Sequence, residues 1–184
     1  MQINLVTSNK NKVKELKAYL EPGIKVNHIG KEYKELRSYD SEEIAKESAQ
    51  RLANELKKPV VAEDSGLFIK GLNGFPGTCS KYVHQRIGLK GILKLMEDID
   101  DREAFYRSAI AYCEPKKEPI SFLGEEKGAI SEEIKGSYGF GHDPIFIPEN
   151  SKKTYGETEK CENLKRFRRK AAEKLRYYLL EERQ

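Results

Sequence analysis

No stretch of the chain approaches the roughly 18 consecutive apolar residues that a membrane-spanning helix requires, so no membrane contact is expected. The amino terminus runs directly into Gln2-Ile3-Asn4-Leu5-Val6 without a signal-peptide pattern, and a soluble, cytoplasmic protein is the expectation. Cysteine is scarce. Cys79, Cys113 and Cys161 are scattered and form no CxxC pair, which argues against a disulfide framework and a zinc site and fits a reducing compartment. Internal repeats, linkers and low-complexity tracts are missing too. So is a strong excess of either charge: 35% of residues are charged, but 34 bases face 30 acids. A small surplus of Lys and Arg serves nucleotide phosphates as well as nucleic acid, so charge alone does not choose a partner.

What is present is a chain of 184 residues, long enough for one well-buried domain, 1–184, with at most two lobes. Ile3, Leu5 and Val6 read as a strand, Thr7-Ser8-Asn9 as capping residues, and Val13, Leu16 and Leu20 as the apolar stripe of a helix. The loop Thr7-Ser8-Asn9-Lys10-Asn11-Lys12 therefore opens a helix, where free N–H groups and the helix dipole favour an anion. A capped surface helix with solvated lysines is the competing reading. After Pro22-Gly23 a second strand spans 24–29, followed by a polar loop containing Glu32 and Glu35. Asp40 and Glu43 have capping-box spacing ahead of the stripe Ile44, Ser48, Leu52 and Leu56, which Pro59 ends. The order strand, helix, strand, helix, strand is that of an α/β protein.

The third strand opens onto Glu63-Asp64-Ser65-Gly66. A buried strand delivering carboxylates to its carboxyl edge is a place for ligands in open α/β sheets; an acidic turn is the alternative. Leu67-Phe68-Ile69 extends this strand or starts another, and Gly71 to Gly77 forms a glycine-rich loop without Walker A or dinucleotide spacing. Residues 81–96 read as helix, with Gly88 and Gly91 blurring its start. Strands are expected over 105–112 and 120–123, and a third near Gly128-Ala129-Ile130. In 136–148, glycines interleave with Tyr138, Phe140 and His142, offering close backbone approach and aromatic faces to a flat ligand, or else a bulged strand filled by core aromatics. A last helix starts near Asn163 on the stripe Leu164, Phe167, Ala171, Leu175 and Tyr178. Lys165, Arg166, Arg168, Arg169 and Lys170 crowd its start, against the helix dipole, so that a bound anion would relieve the conflict.

Taken in order, Thr7-Ser8-Asn9-Lys10-Asn11-Lys12, Glu63-Asp64-Ser65-Gly66-Leu67, Gly74-Phe75-Pro76-Gly77 and Gly139-Phe140-Gly141-His142-Asp143-Pro144-Ile145-Phe146 resemble the inosine triphosphate pyrophosphatases, or XTP/dITP diphosphatases. The resemblance covers nearly the whole chain. It implies an elongated α/β fold with a central mixed sheet, flanking helices and two lobes around a nucleotide cleft, usually as a homodimer. It further implies Mg2+-dependent hydrolysis of non-standard purine nucleoside triphosphates (ITP, dITP, XTP) to the monophosphate and pyrophosphate. By position, Asp64 matches the general base, Ser65 a phosphate contact, and Thr7, Asn9 and Lys12 the triphosphate loop, with Ser8, Lys10 and Asn11 beside them. Glu35, Glu63 and Asp64 are the carboxylates available for the metal; Phe140, Gly141, His142 and Asp143 fall where the base is met.

The chain also departs from the family. His142 stands where Tyr or Trp is usual. The terminal Ser-His-Arg is replaced by Arg166-Phe167-Arg168, the upstream lysine position reads Glu162 with Lys160 nearby, and Ser48 sits where some relatives carry Lys. Arg168 can stand for the family arginine, whereas Phe167 cannot hydrogen-bond a purine edge. A pyrophosphatase with a shifted base preference is therefore the first alternative. A non-catalytic single-stranded nucleic-acid-binding protein, using the basic last helix with Tyr138, Phe140 and His142, is the second. The paired acids weigh against stable nucleic-acid binding.

Overall fold

The computed structural model describes residues 1–21 and 23–182. Pro22, where the first helix was expected to give way to the second strand, lies outside the described residues. Seven strands form one mixed sheet: β1 (Gln2–Val6), β2 (Lys25–Ile29), β3 (Val60–Ile69), β4 (Pro76–Gly77), β5 (Glu103–Cys113), β6 (Ile120–Ile130) and β7 (Phe146–Pro148). Their order is β2-β1-β3-β5-β6-β7, with β4 paired to β3. β1 runs parallel to both β2 and β3, while β3–β4 and β6–β7 are antiparallel. Among the described residues the α-helices are α1 (Lys10–Leu20), α2 (Ser41–Leu56), α3 (Ser80–Leu95) and α4 (Arg166–Tyr177). None is long and apolar enough to cross a membrane. By contacts the chain divides into two compact units, one of Met1–Asp64, Ser108–Gly124 and Phe167–Gln184, the other of Ser65–Arg107 and Glu125–Arg166.

In the first unit β1 and β3 are buried on both faces, as parallel strands generally are, while β2 at the sheet edge leaves Lys25, Asn27 and His28 exposed. One face gathers Ile3, Leu5, Val26 and Val61 against Leu16 and Leu20 of α1 and Ala171 and Leu175 of α4. The other gathers Val6, Val60 and Ala62 against Ala45, Ala49, Leu52 and Ala53 of α2. Val60, Val61 and Ala62 thus alternate between faces, the two-residue period of a strand. α2 is capped by Asp40, whose carboxylate accepts the Glu42 N–H at 2.8 Å. Glu43 does not close the expected capping box: its carboxylate accepts the Ser38 hydroxyl at 2.5 Å, and Ser38 in turn accepts the Asp40 N–H. The helix stops at Lys57 in the left-handed conformation, φ 52°.

In the second unit β3 continues unbroken to Ile69. α3 is a single run interrupted at Gly88, whose φ of 63° breaks its helical path. Two sequence expectations are corrected. The separate strands expected at 120–123 and 128–130 are one strand, β6, eleven residues long beside an eleven-residue β5. The last α-helix starts at Arg166, not Asn163, because Cys161–Asn163 is a 3-10 turn, and Leu164 is left 55% exposed. Gly66 is fixed by close approach: a Cβ there would lie 2.1 Å from the Gly77 carbonyl oxygen on β4. Gly66→Ala is therefore expected to cost about 1–3 kcal/mol from overpacking and to lower the melting temperature by several degrees, read by circular dichroism.

Candidate active site

β3 carries Glu63 and Asp64 side by side, and both are buried. Successive strand residues point to opposite faces, so these two carboxylates meet different surroundings. Glu63 lies on the α1/α4 side. Its Oε1 accepts the Ser108 hydroxyl at 2.6 Å and the Arg168 Nε at 2.8 Å, and Lys12 Nζ stands 3.7 Å from its Oε2. Arg168 is also bound to Glu15 of α1. Burial pushes the Glu63 carboxyl up, but Arg168, Lys12 and the Ser108 hydroxyl more than offset it and hold the group at about 2.

Asp64 lies on the α2 side with one carboxylate oxygen, Oδ2, buried and without a hydrogen-bond partner. Burial drives its carboxyl up, Lys12 and the nearby Ser41 hydroxyl oppose this, and Glu35 and Glu63 add to it, leaving it at about 6. Ser41 Oγ is near enough to favour the charged carboxyl, but neither it nor Asp64 Oδ2 has a partner in hydrogen-bond geometry. Two neighbouring acids are thus pushed apart, one a permanent anion and the other able to take a proton near neutrality, the pattern that separates acid–base roles.

The Thr7–Lys12 loop is built from its own side chains. Asn9 caps α1, its Oδ1 accepting the N–H of Asn11 at 3.0 Å and of Lys12 at 3.3 Å, while Thr7 Oγ1 accepts the Asn9 N–H. Lys12 Nζ reaches to β3 and donates to the Glu63 carbonyl at 3.0 Å. Ser8, Lys10 and Asn11 are exposed, and Thr7 and Lys12 half-buried. The loop therefore presents one anchored lysine next to Asp64 and one free lysine.

Among the described residues no three His, Cys, Asp or Glu side chains converge as a metal cage. Glu63 is already engaged by Arg168, Ser108 and Lys12. What remains is Asp64, with its unpartnered oxygen, and Glu35, near enough to raise the Asp64 carboxyl. That donor set fits a magnesium ion shared with substrate phosphates, since such ions are commonly held by one or two carboxylates and keep their other positions for phosphate and water.

The second unit holds the aromatic loop. Phe140 lies between Gly139 and Gly141, both at positive φ. Gly139 is required there, because a Cβ would fall 2.2 Å from Asp143 Oδ2. Asp143 is buried and organises the loop: Oδ2 accepts the Phe140 N–H at 2.6 Å and lies 2.8 Å from Lys165 Nζ, and Oδ1 accepts the Tyr106 hydroxyl at 3.3 Å. The Lys165 ammonium sits 4.0 Å from the Phe140 ring centre, a cation–π contact. His142 is buried edge-on to His84, with ring centres 5.2 Å apart. Burial and then His84 lower it to about 4, so it is a neutral ring at physiological pH and the proton-dependent donor is not available there. Tyr138 is exposed but His142 is not, so the aromatics do not make the continuous platform that single-stranded nucleic acid would need.

The sequence matches the Ham1 family over residues 3–178. The chain belongs to the Ham1 family. It is 47% identical over 165 residues to the dITP/XTP pyrophosphatase of Methanopyrus kandleri, covering 88% of each chain. It is 44% identical over 158 residues to that of Pyrococcus horikoshii, covering 85% of this chain and 84% of the other. The solved HAM1 protein of Coxiella burnetii superposes with a TM-score of 0.86 at 28% identity, over 98% of this chain and 99% of that one. The mixed α/β architecture is the one these Ham1 structures share.

In the terminal segment Phe167 and Arg168 are buried and Arg166 is exposed. Phe167 is 3% exposed and packs beside the Arg168 guanidinium, 4.8 Å from its ring centre. Arg168 is 1% exposed and bound to Glu15 and Glu63. Arg166 is exposed, with its backbone N–H given to Glu126 Oε2 at 2.7 Å. Thus the anion expected at the start of α4 is internal. Glu126 is fixed in turn by the Tyr155 hydroxyl at 2.6 Å. Lys160 is exposed and Ser65 half-buried. Ser48 is buried on α2, its hydroxyl without a hydrogen-bond partner. Sequence reasoning missed Tyr106, Glu15, Ser108 and Tyr33, and named Lys165 only as one of the basic residues crowding the start of the last helix. Glu15 lies about 100° around α1 from Leu16, off the Val13, Leu16 and Leu20 stripe, so helical spacing gave no clue to its burial.

Proposed function

We propose that the chain hydrolyses non-standard purine nucleoside triphosphates of the dITP and XTP class to the monophosphate and pyrophosphate, in the cytoplasm, as a homodimer and with Mg2+. The observation that carries this reading is Asp64: a buried carboxyl at about 6 with an unpartnered oxygen, between Lys12 and Glu35, in a Ham1 chain. Lys12 and the Thr7–Asn9 turn hold the triphosphate, with Lys10 supplying further positive charge. Asp64 takes the proton of a water as its oxygen bonds to the α-phosphorus and the bond to the pyrophosphate oxygen breaks. Its position near neutrality suits a general base. Asp64 and Glu35 would hold Mg2+, which when bound would supply charge neutralisation on the phosphates. Positioning and electrostatics carry most of the rate.

For the base we assign Phe140 as the stacking face, held by Asp143 and Lys165. Phe140→Ala is expected to raise KM about tenfold and leave kcat within twofold, as the loss of one stacked ring should. The deciding experiment is pyrophosphate release with Mg2+ from ITP, XTP and dITP beside ATP, GTP, CTP and UTP. Faster turnover of the first three is expected, and no release from any nucleotide would sink the reading. Burial of Phe167 and Arg168 favours one second reading, a shifted base preference, and equal or inverted rates in the same series would establish it.

A further inference from the structure

Glu35 lies exposed in a segment without regular secondary structure, residues 31–38, and a carboxylate so placed needs something to aim it. The segment runs alongside α2 and is fastened to it in reverse order. Lys31 pairs with Glu55; Arg51 Nη2 donates to the Lys34 carbonyl at 2.6 Å; Ser38 donates to Glu43 at 2.5 Å. Glu43, Glu47, Arg51 and Glu55 recur every fourth residue and form one slowly winding row on the helix. The row spans about 18 Å of helix, within the roughly 23–25 Å reach of the segment it holds.

Arg51 is the centre of this strap. Its Nε is fixed by Glu47 Oε1 at 2.8 Å, which orients the flat guanidinium so that Nη2 meets the residue preceding Glu35. The same guanidinium lies 5.8 Å from the ring centre of Tyr33, and Tyr33 packs against the α2-side core. The Tyr33 phenol is raised by burial and then by Glu35, Glu63 and Asp64, so the ring stands close to the acids of the site. Arg51 thus grips the backbone on one side of Glu35 and the side chain of Tyr33 two residues before it.

We infer that Arg51, with Tyr33 as its anchor, is the positioning residue that sets Glu35 for the divalent cation. This rests on the cation assignment above, but not on the identity of the nucleotide. Arg51→Ala is expected to weaken Mn2+ binding to the nucleotide-free protein, read by electron paramagnetic resonance, about 10–100-fold, the usual effect of removing a group that orients a metal ligand. Hydrogen exchange of the 31–38 amides should quicken while the β1 and β3 amides stay protected. Arg51→Lys keeps the charge but not the fork and should recover only part of the affinity. In a Glu35→Ala background, Arg51→Ala should cause no further loss of Mn2+ affinity. The inference is overturned if Arg51→Ala leaves Mn2+ affinity within twofold of wild type, if it weakens binding equally without Glu35, or if the wild type holds no Mn2+. A protein that binds Mn2+ in this Arg51-dependent way but releases pyrophosphate from no nucleotide would sink the proposed function and leave the strap standing.

Discussion

Asp64→Asn is expected to lower turnover by about 10³-fold, keep nucleotide binding measurable, and make the metal-free protein more stable at neutral pH. The opposite signs share one cause. The Asp64 carboxyl stands at about 6 in the folded chain against 3.8 as its ordinary value, so between those values the folded state holds a proton that the unfolded state has lost. Stability from this group is therefore full below about pH 4 and lost as pH rises through about 6. The difference is worth on the order of 3 kcal/mol, an upper figure because water relaxes such sites. The neutral amide does not incur it. Urea denaturation of both proteins without metal at pH 4 and pH 7.5 tests this: the variant should gain at pH 7.5 only. Turnover retained by the variant would remove Asp64 from the chemistry; a pH-independent stability difference would remove the burial argument.

The buried strand at Val60 to Ala62 was legible in the sequence, because a short apolar run needs no tertiary information. That the strand runs on through the acids to Ile69, so that its alternation sends Glu63 and Asp64 to opposite faces, was not. Glu63 is an ion-pair partner because Arg168 reaches it across 105 residues of chain, and Glu15 joins from 153 residues away. The basic crowd of Lys165 to Lys170 had the same problem. Composition shows five cations at a helix start, but only packing reveals that Lys165 is neutralised by Asp143 and Arg168 by Glu15 and Glu63. A solvated face and a buried network look alike in a string of letters. By contrast, Asn9, Asp40 and the stripes of α1 and α2 act through neighbours within one or two helical turns, and these were read correctly. Glu43 failed by the same rule, since the Ser38 hydroxyl competed for a carboxylate that the local pattern assigned to Asp40.

Arg168→Ala is expected to cost about 3–5 kcal/mol and lower the melting temperature by roughly 10 °C. The loss comes less from the ion pairs than from what they leave behind: Glu15 and Glu63 would remain buried without their cation. The acid limb of the stability curve separates this from simple loss of packing. Burial raises the Glu63 carboxyl, yet Arg168, Lys12 and Ser108 bring it to about 2, below its ordinary 4.5. Its contribution is therefore present above about pH 4.5 and lost as pH falls through about 2, on the order of 3 kcal/mol in all. With Arg168 gone, the largest charge favouring ionised Glu63 is gone, and denaturation midpoints between pH 5.5 and 2.5 should flatten. An unchanged acid slope would show that Lys12 and Ser108 suffice. Replacing Arg168, Glu15 and Glu63 together by apolar residues of similar volume should restore most of the stability without restoring function. Lys12 would then keep only the backbone carbonyl of residue 63 to steady it, and KM for the triphosphate should rise. Stability recovered with KM still raised would show that the buried triad is retained to aim Lys12, and recovery of both would reduce it to packing.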